Sequence, residues 1–171
     1  MKLLPTLTHS YRTMVAKDGS SYQRIIKNTR KMVKQLKELE DIGADVEFEA
    51  ENETEAPDRD MDENQLKYIR EQYENGNEYA WFCAHVKVKF KGWEVDDYLG
   101  GCSYKSRKDF IENSGYYLDM VNNCIEQINR GIEDYNNSIK RRWELRKAHN
   151  ICKRYGYVMF EAKQMYSTKN Y

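Results

Sequence analysis

The stretch EYAWFCAHVKVKF, residues 78–90, decides the fold, because apolar and polar side chains alternate along it. The apolar set would face a core: Ala80, Phe82, Ala84, Val86, Val88 and Phe90. The intervening set is mixed and would face a wetter side: Tyr79, Trp81, Cys83, His85, Lys87 and Lys89. This period of two predicts a strand with one buried face. The dipeptide at 91–92 (KG) then turns the chain into a second strand over 93–99, so a β-hairpin is predicted.

Two helices are predicted before the hairpin. Apolar residues recur every three or four positions from Tyr22 to Leu39, which predicts an amphipathic helix that begins near Ser20 and ends at Gly43. A shorter helix is predicted over 62–75. Between the two helices, residues 46–50 alternate apolar and acidic side chains, which suits a short edge strand, and an exposed acidic loop is predicted beyond it.

Further helices are predicted after the hairpin. The sequence SRKD at 106–109 is a near capping box and opens a short helix. Two longer helices are expected on either side of Gly131. The second would turn six residues inward: Ile132, Tyr135, Ile139, Trp143, Ile151 and Tyr155. Residues 157–160 would form a last short strand, before a loose tail from about 166. Helices packed on a small antiparallel sheet give an α+β fold, and 171 residues suit one domain.

Composition narrows the class of protein. The 28 basic and 28 acidic side chains cancel, and no apolar run approaches the length of a membrane span or a signal peptide. The four cysteines are too dispersed for a disulfide scaffold, so a cytoplasmic, reducing location is expected. The charge is uneven along the chain. Residues 1–37 carry nine bases and one acid, whereas residues 38–63 carry thirteen acids and one base.

The acidic segment is the first candidate binding site. Its carboxylates could occupy a basic, nucleic-acid-binding groove of a host protein, and the candidate partner-binding residues are Glu47, Glu49, Glu51, Glu53, Glu55, Asp58 and Asp60. The alternative is a solubilising loop that pairs internally with the basic helix at 24–37. Both interpretations use the same charges, and the sequence leaves both open.

A basic, aromatic segment near the C-terminus is the second candidate. Its residues could follow a phosphate backbone and stack on bases, together with the basic helix 24–37: Lys140, Arg141, Arg142, Trp143, Arg146 and Lys147. The competing interpretation is a solvated helix face. No membrane partner is expected, and the sequence does not indicate an oligomeric state.

Cysteine and histidine residues raise two further hypotheses. Cys83 and His85 share a strand face, and His149 and Cys152 lie one helical turn apart. These pairs, with Cys102, raise the hypothesis of a tetrahedral zinc site. Cys102 follows two glycines, and His85 with Asp96 or Asp97 could activate it as a nucleophile. Neither pattern has the spacing of a known site, and buried thiols are common in cores. We therefore expect no catalytic residue, no metal and no cofactor.

Residues 78–128 also carry a resemblance. The sequence YAWFC at 79–83, DYLGGCSYKS at 97–106, DF at 109–110 and YYLDMV at 116–121 resemble a segment of small bacteriophage accessory proteins. The resemblance transfers no catalytic residue. It implies a phage or mobile-element protein, and such proteins include inhibitors of host defence of the anti-CRISPR type. The expected function is therefore non-enzymatic binding of a host defence protein through the acidic segment, with nucleic-acid binding through helices 24–37 and 138–155 as the alternative.

Overall fold

The structure, a computed structural model, describes residues 1–17, 20–26, 29–57 and 61–155. Its strands are β1 (Ser10–Val15), β2 (Ser21–Ile26), β3 (Ala44–Asn52), β4 (Phe82–Phe90) and β5 (Trp93–Cys102). Its helices are α1 (Thr29–Asp41), α2 (Glu63–Glu74), α3 (Arg107–Asn113) and α4 (Tyr116–Tyr155). Helices combined with antiparallel sheets confirm the predicted α+β class. In the described part of the chain, every helix is too short or too polar to cross a bilayer.

The chain divides into two compact units. The larger unit comprises Leu4–Asn129 and holds both sheets, and the smaller unit comprises Met1–Leu3 with the chain from Arg130 onward. Two predictions, the strand at 157–160 and the loose tail from 166, lie outside the described residues.

The predicted hairpin is confirmed and forms two thirds of a sheet. Strand order is β3-β4-β5, with both pairs antiparallel. Lys91 and Gly92 have φ angles of 48° and 86°, the positive values that a tight hairpin turn of this kind requires. The first strand of the hairpin, β4, begins at Phe82 rather than at Glu78, because residues 78–81 form turns and bends. The acidic residues 44–52 pair along the whole of β4, so β3 is the predicted edge strand, longer than expected.

One face of this sheet is the core, and we call it the inner face. Phe82, Ala84, Val86 and Val88 of β4 are essentially inaccessible to solvent. Phe110 of α3 packs on that face. Its ring lies 5.2 Å from Phe48 and 5.6 Å from Phe82, centroid to centroid. Such pairs stabilise a core beyond their buried area, typically by about 0.5–1.5 kcal/mol each.

The first predicted helix is partly wrong. Residues 21–26 form β2, which pairs antiparallel with β1 in a separate two-stranded sheet, and α1 begins only at Thr29. The β-branched pair Ile25-Ile26 fits a strand as well as a helical stripe, and pairing with residues 10–15 decides between them. The predicted helix end is confirmed: Gly43 has a φ of 84° and its N–H donates to the carbonyl of Glu40.

Helix α4 is also longer than predicted. It runs through Gly131 without a break, so the two expected helices are one. Ile132 is buried as expected, whereas four other predicted inward residues of this segment are exposed: Tyr135, Ile139, Trp143 and Ile151. The later turns bury Ala148 and Cys152 instead, two residues that the predicted inward stripe did not include.

An extended N-terminal segment lies along α4 in the larger unit. Leu7 donates its N–H to Asn122 Oδ1 at 2.7 Å and accepts from Asn122 Nδ2 at 2.9 Å. Leu4 makes the same two bonds with Asn129, at 2.7 and 2.9 Å. Both leucine side chains are buried. The seven residues from Asn122 to Asn129 rise about 10.5 Å along the helix, and the three residues from Leu4 to Leu7 span a similar length when extended. The two asparagines can therefore bind two backbone positions that are three residues apart.

Candidate functional site

The face of the three-stranded sheet opposite the core is the candidate site, and we call it the outer face. It is built from alternate residues of the three strands: Asp45, Glu47, Glu49 and Glu51 of β3; Cys83, His85, Lys87 and Lys89 of β4; Glu94, Asp96 and Tyr98 of β5. The antiparallel register sets the neighbours. Glu49 lies opposite His85 across one strand boundary, and His85 lies opposite Tyr98 across the other.

His85 is at the centre of this face. Only 8% of its surface is exposed, and among the described residues it is the one polar or charged residue that is buried. Its ring stacks on Tyr98, with centroids 4.2 Å apart and planes 12° from parallel. Nε2 lies 2.8 Å from Asp96 Oδ1, and this hydrogen bond lowers the pKa of Asp96. Asp96 is therefore an ionised acceptor, and Nε2 must carry the hydrogen of this bond.

The other ring nitrogen of His85 faces β3. Nδ1 lies 2.7 Å from Glu51 Oε1, close enough for an ion pair, yet the two groups are not aligned as a hydrogen bond requires. Glu49 brings a second carboxylate to the same place, and the three ligand-type atoms lie within 4.8 Å of one another. A cavity of about 20 Å³ adjoins His85 and Glu49, with Glu47 and Lys87 completing its lining.

Two lysines balance part of the negative charge. Lys89 Nζ lies 2.7 and 2.9 Å from the two carboxylate oxygens of Glu47, and this bond lowers the pKa of Glu47 while raising that of Lys89. Lys87 Nζ lies 3.2 Å from Glu94 and 3.6 Å from Asp96, and the bond to Glu94 raises the lysine pKa. Six carboxylates therefore share the outer face with two lysines and one histidine, which leaves the face net negative.

The predicted partner-binding acids fall into three groups. Glu47, Glu49 and Glu51 lie together on the outer face. Glu53 and Glu55 follow the end of β3, and Asp58 and Asp60 lie outside the described residues. Among the described residues, the ion pairs of Glu47 and Glu51 are with Lys89 and His85 of β4 rather than with the basic helix at 24–37.

Glu53 has a structural task at the sheet edge. Its Oε2 accepts the N–H of Gly101 at 2.8 Å, and this backbone bond lowers the pKa of Glu53. Gly101 has a φ of 67°, and a Cβ on Gly100 would lie 2.7 Å from Glu53 Oε2. The two glycines thus allow a carboxylate to approach the backbone of β5, and the Gly101 N–H is occupied by a side chain of the chain itself.

The proposed nucleophile Cys102 does not join His85. Cys102 is buried, and its Sγ contacts the carbonyl of Leu99 at 3.3 Å. Burial raises the pKa of its thiol to about 11, so the thiol is protonated near neutral pH. The predicted His85–Asp96 contact is present, but in the described part of the chain the hydrogen bonds and ion pairs of His85 are with acids of β3 and β5.

The basic candidate residues lie on α4 in the smaller unit. All six are exposed: Lys140, Arg141, Arg142, Trp143, Arg146 and Lys147. Trp143 is 61% exposed and Lys147 Nζ lies 5.4 Å from its ring centroid. The second part of the predicted basic surface is divided, because Arg24 lies on β2, Lys27 lies outside the described residues, and the other bases lie on α1.

Sequence patterns missed the cluster of His85 with Glu49 and Glu51. The alternating pattern of residues 78–90 placed His85 on the wetter face, and the alternation at 46–50 placed the glutamates on one face of β3. The missing information was that β3 pairs with β4, in a register that sets Glu49 opposite His85. Comparison of the chain with protein-family models, with curated proteins and with solved structures finds no match.

Proposed function

We propose that this chain is a non-enzymatic binding protein that docks its outer face on a basic surface of a protein partner. The observation that carries the proposal is the concentration of carboxylates on one exposed face: Asp45, Glu47, Glu49, Glu51, Glu94 and Asp96. Side chains on one face of a strand repeat about every 6.7 Å, so β3 offers a regular row of negative charge. Such a row steers a cationic surface into register during encounter.

The edge position of β3 supports the same proposal. In the described sheet, β3 is the edge strand and is hydrogen-bonded to β4 on one side. Glutamates along an edge discourage pairing with the apolar strands that cause aggregation. They admit a strand or loop that carries Lys and Arg. Specificity for a basic partner follows from the same charges that keep the chain soluble.

The class of partner follows from the resemblance of residues 78–128 to small bacteriophage proteins. A host defence protein that holds nucleic acid has a basic groove, and a row of carboxylates competes with phosphates for that groove. The chain would then act in the host-cell cytoplasm as an inhibitor of the anti-CRISPR type. Burial of Cys102 and the high pKa of its thiol favour binding over nucleophilic catalysis.

Capture of partners from host-cell lysate tests the proposal when two matched variants accompany the native chain. The sheet variant carries Glu47→Gln, Glu49→Gln and Glu51→Gln. The helix control carries Glu63→Gln, Glu71→Gln and Glu74→Gln, three exposed acids of α2, so both lose the same charge. The proposal predicts capture of a protein partner. Capture should survive nuclease treatment of the lysate, weaken with added salt, and be lost only with the sheet variant. Retention by the sheet variant would contradict it.

Nucleic-acid binding by α4 is the second candidate function. The observation that favours it is the exposed indole of Trp143 beside Lys147, within a run of basic residues. An exposed aromatic ring can stack on a base while the cations contact phosphates. Anisotropy of labelled single-stranded DNA would show binding that weakens with salt. Neutralising Arg141, Arg142 and Arg146 to Gln would reduce the salt dependence by up to about two units of slope, since each lost phosphate contact removes about 0.7.

A further inference from the structure

We propose that His85, Glu49 and Glu51 bind one divalent transition-metal ion of the Zn²⁺ type, with Asp96 orienting the imidazole. The proposal concerns the purified chain alone, so it does not depend on the docking function. It revises the expectation of no metal that the spacing of cysteines and histidines gave. The ligands lie on two neighbouring strands, and a pattern search along one segment does not find them.

The contact with Asp96 fixes which nitrogen of His85 carries hydrogen. Nε2 lies 2.8 Å from Asp96 Oδ1, and a carboxylate oxygen accepts, so Nε2 is the nitrogen that carries hydrogen. In the neutral imidazole, Nδ1 then presents a lone pair. That lone pair lies 2.7 Å from a carboxylate oxygen of Glu51, which also presents only lone pairs. Two such groups repel each other unless a cation joins them.

That cation can be a proton or a metal ion. A proton on Nδ1 would donate a hydrogen bond to Glu51, but the carboxylate is not aligned to accept one. A metal ion bonds along the lone-pair direction of Nδ1 and draws the carboxylates to itself. The cavity of about 20 Å³, lined by His85, Glu49, Glu47 and Lys87, exceeds the roughly 10–15 Å³ that one water-sized occupant needs and leaves room beside two of the three ligands.

The dimensions of the cluster fit one ion after small side-chain movements. Zinc lies about 2.0–2.2 Å from nitrogen and oxygen ligands, so two ligands in tetrahedral geometry are about 3.4 Å apart. The present atoms range from 2.7 Å apart to within 4.8 Å. Glu51 must therefore withdraw slightly from Nδ1 to reach that spacing. The side chains of Glu49 and Glu51 are exposed, so their rotamers are free to adjust without disturbing the core.

The surroundings of the ring resemble those of histidine ligands. A histidine that binds a metal usually gives its second N–H to a carboxylate, which fixes the tautomer and raises ligand basicity. Asp96 holds that position here, and Tyr98 fixes the ring plane by stacking. The imidazole favours zinc, cobalt or nickel over magnesium and calcium, which prefer all-oxygen sites. Lys87 lines the cavity, but its ammonium group is held by Glu94 and Asp96.

Titration of the full chain with zinc tests the site. After treatment with a chelator and its removal, isothermal calorimetry should give one high-affinity Zn²⁺ per chain, and Mg²⁺ should not compete. Glu49→Gln and Glu51→Gln should each weaken zinc binding at least tenfold. Asp96→Asn should weaken it by about 10- to 100-fold, the usual effect of losing such a partner. Asp45→Asn is the control on the same strand face, outside the cavity lining, and should change affinity less than threefold.

A second readout identifies the ligand atom. In long-range ¹H–¹⁵N spectra of the histidine side chains, zinc should shift Nδ1 of His85 as a metal ligand and leave Nε2 protonated. Unchanged zinc affinity in both Glu49→Gln and Glu51→Gln would overturn the proposal. So would a native chain that binds no zinc, or a doubly protonated His85 ring in zinc-saturated protein, because a proton would then occupy Nδ1.

Discussion

The inner and outer faces of the three-stranded sheet are made by alternate residues of the same strands, yet they have different tasks. The inner face consists of inaccessible apolar side chains that pack against Phe110. The outer face holds paired charges around a single buried histidine. Apolar burial supplies most of the free energy of folding, whereas exposed ion pairs contribute little. We therefore expect inner-face substitutions to unfold the protein, and outer-face substitutions to change what it binds.

The largest effect is expected from Phe110→Ala. The ring of Phe110 is fully buried and contacts the rings of Phe48, Phe82 and Tyr104. Its removal leaves a cavity and should lower the free energy of unfolding by about 3–5 kcal/mol in urea titrations. Tyr98→Ala on the outer face is the matched control, since that ring is 55% exposed. A Tyr98→Ala loss as large as that of Phe110→Ala would break the distinction between the two faces.

Hydrogen bonds to a buried backbone segment should stabilise the protein, so removing them should lower the free energy of unfolding, as substitutions on the inner face do. Asn129→Ala removes two hydrogen bonds from the backbone of Leu4, and that backbone then lacks partners. We expect a loss of about 1–3 kcal/mol in the free energy of unfolding. Asn123→Ala on the same helix loses one exposed bond to Asp97, so thermal and urea unfolding should change little. A loss in Asn129→Ala as small as that in Asn123→Ala would show that the backbone of Leu4 finds other hydrogen-bond partners.

The outer face should determine the response to acid. The pKa values of Glu47 and Asp96 are lowered by hydrogen bonds from Lys89 and His85. A lowered carboxylate pKa adds stability above its unfolded value, about 4, and this stability is lost as pH falls through the folded value. Urea midpoints measured between pH 3 and pH 6 should therefore fall toward acid pH. Glu47→Gln and Asp96→Asn should flatten that fall. If the dependence of the urea midpoint on pH stayed unchanged in both variants, Glu47 and Asp96 would not be the groups that determine the response to acid.

The smallest effect concerns Gly100. A methyl group there would lie 2.7 Å from Glu53 Oε2 and would push the carboxylate away from the N–H of Gly101. Because Glu53 is flexible and partly exposed, Gly100→Ala should cost only about 0.5–1.5 kcal/mol, the net value of one hydrogen bond. Thermal unfolding of Gly100→Ala with Glu53→Gln should then resemble that of Glu53→Gln alone. A further loss in the double variant would show that the methyl group meets something other than Glu53.

The two faces also differ in how far the sequence predicts them. Alternation over 78–90 was sufficient to predict the hairpin and its buried side, and Gly43 correctly marked a helix end. The same reasoning assigned residues 22–26 to a helix, because Ile25 and Ile26 fit both periods until β1 pairs with β2. The cluster around His85 depends on the register of β3 against β4, which joins residues 36 positions apart in sequence. No local pattern contains that information.

The most direct test of the account measures stability and partner capture on the same samples of the sheet variant and the helix control. Both variants lose three carboxylates, so they are matched in the charge that is removed. The account predicts melting temperatures close to that of the native chain for both, and a nuclease-resistant partner that is captured by the helix control but not by the sheet variant. Capture by both, or loss from both, would show that the outer face is not the binding surface.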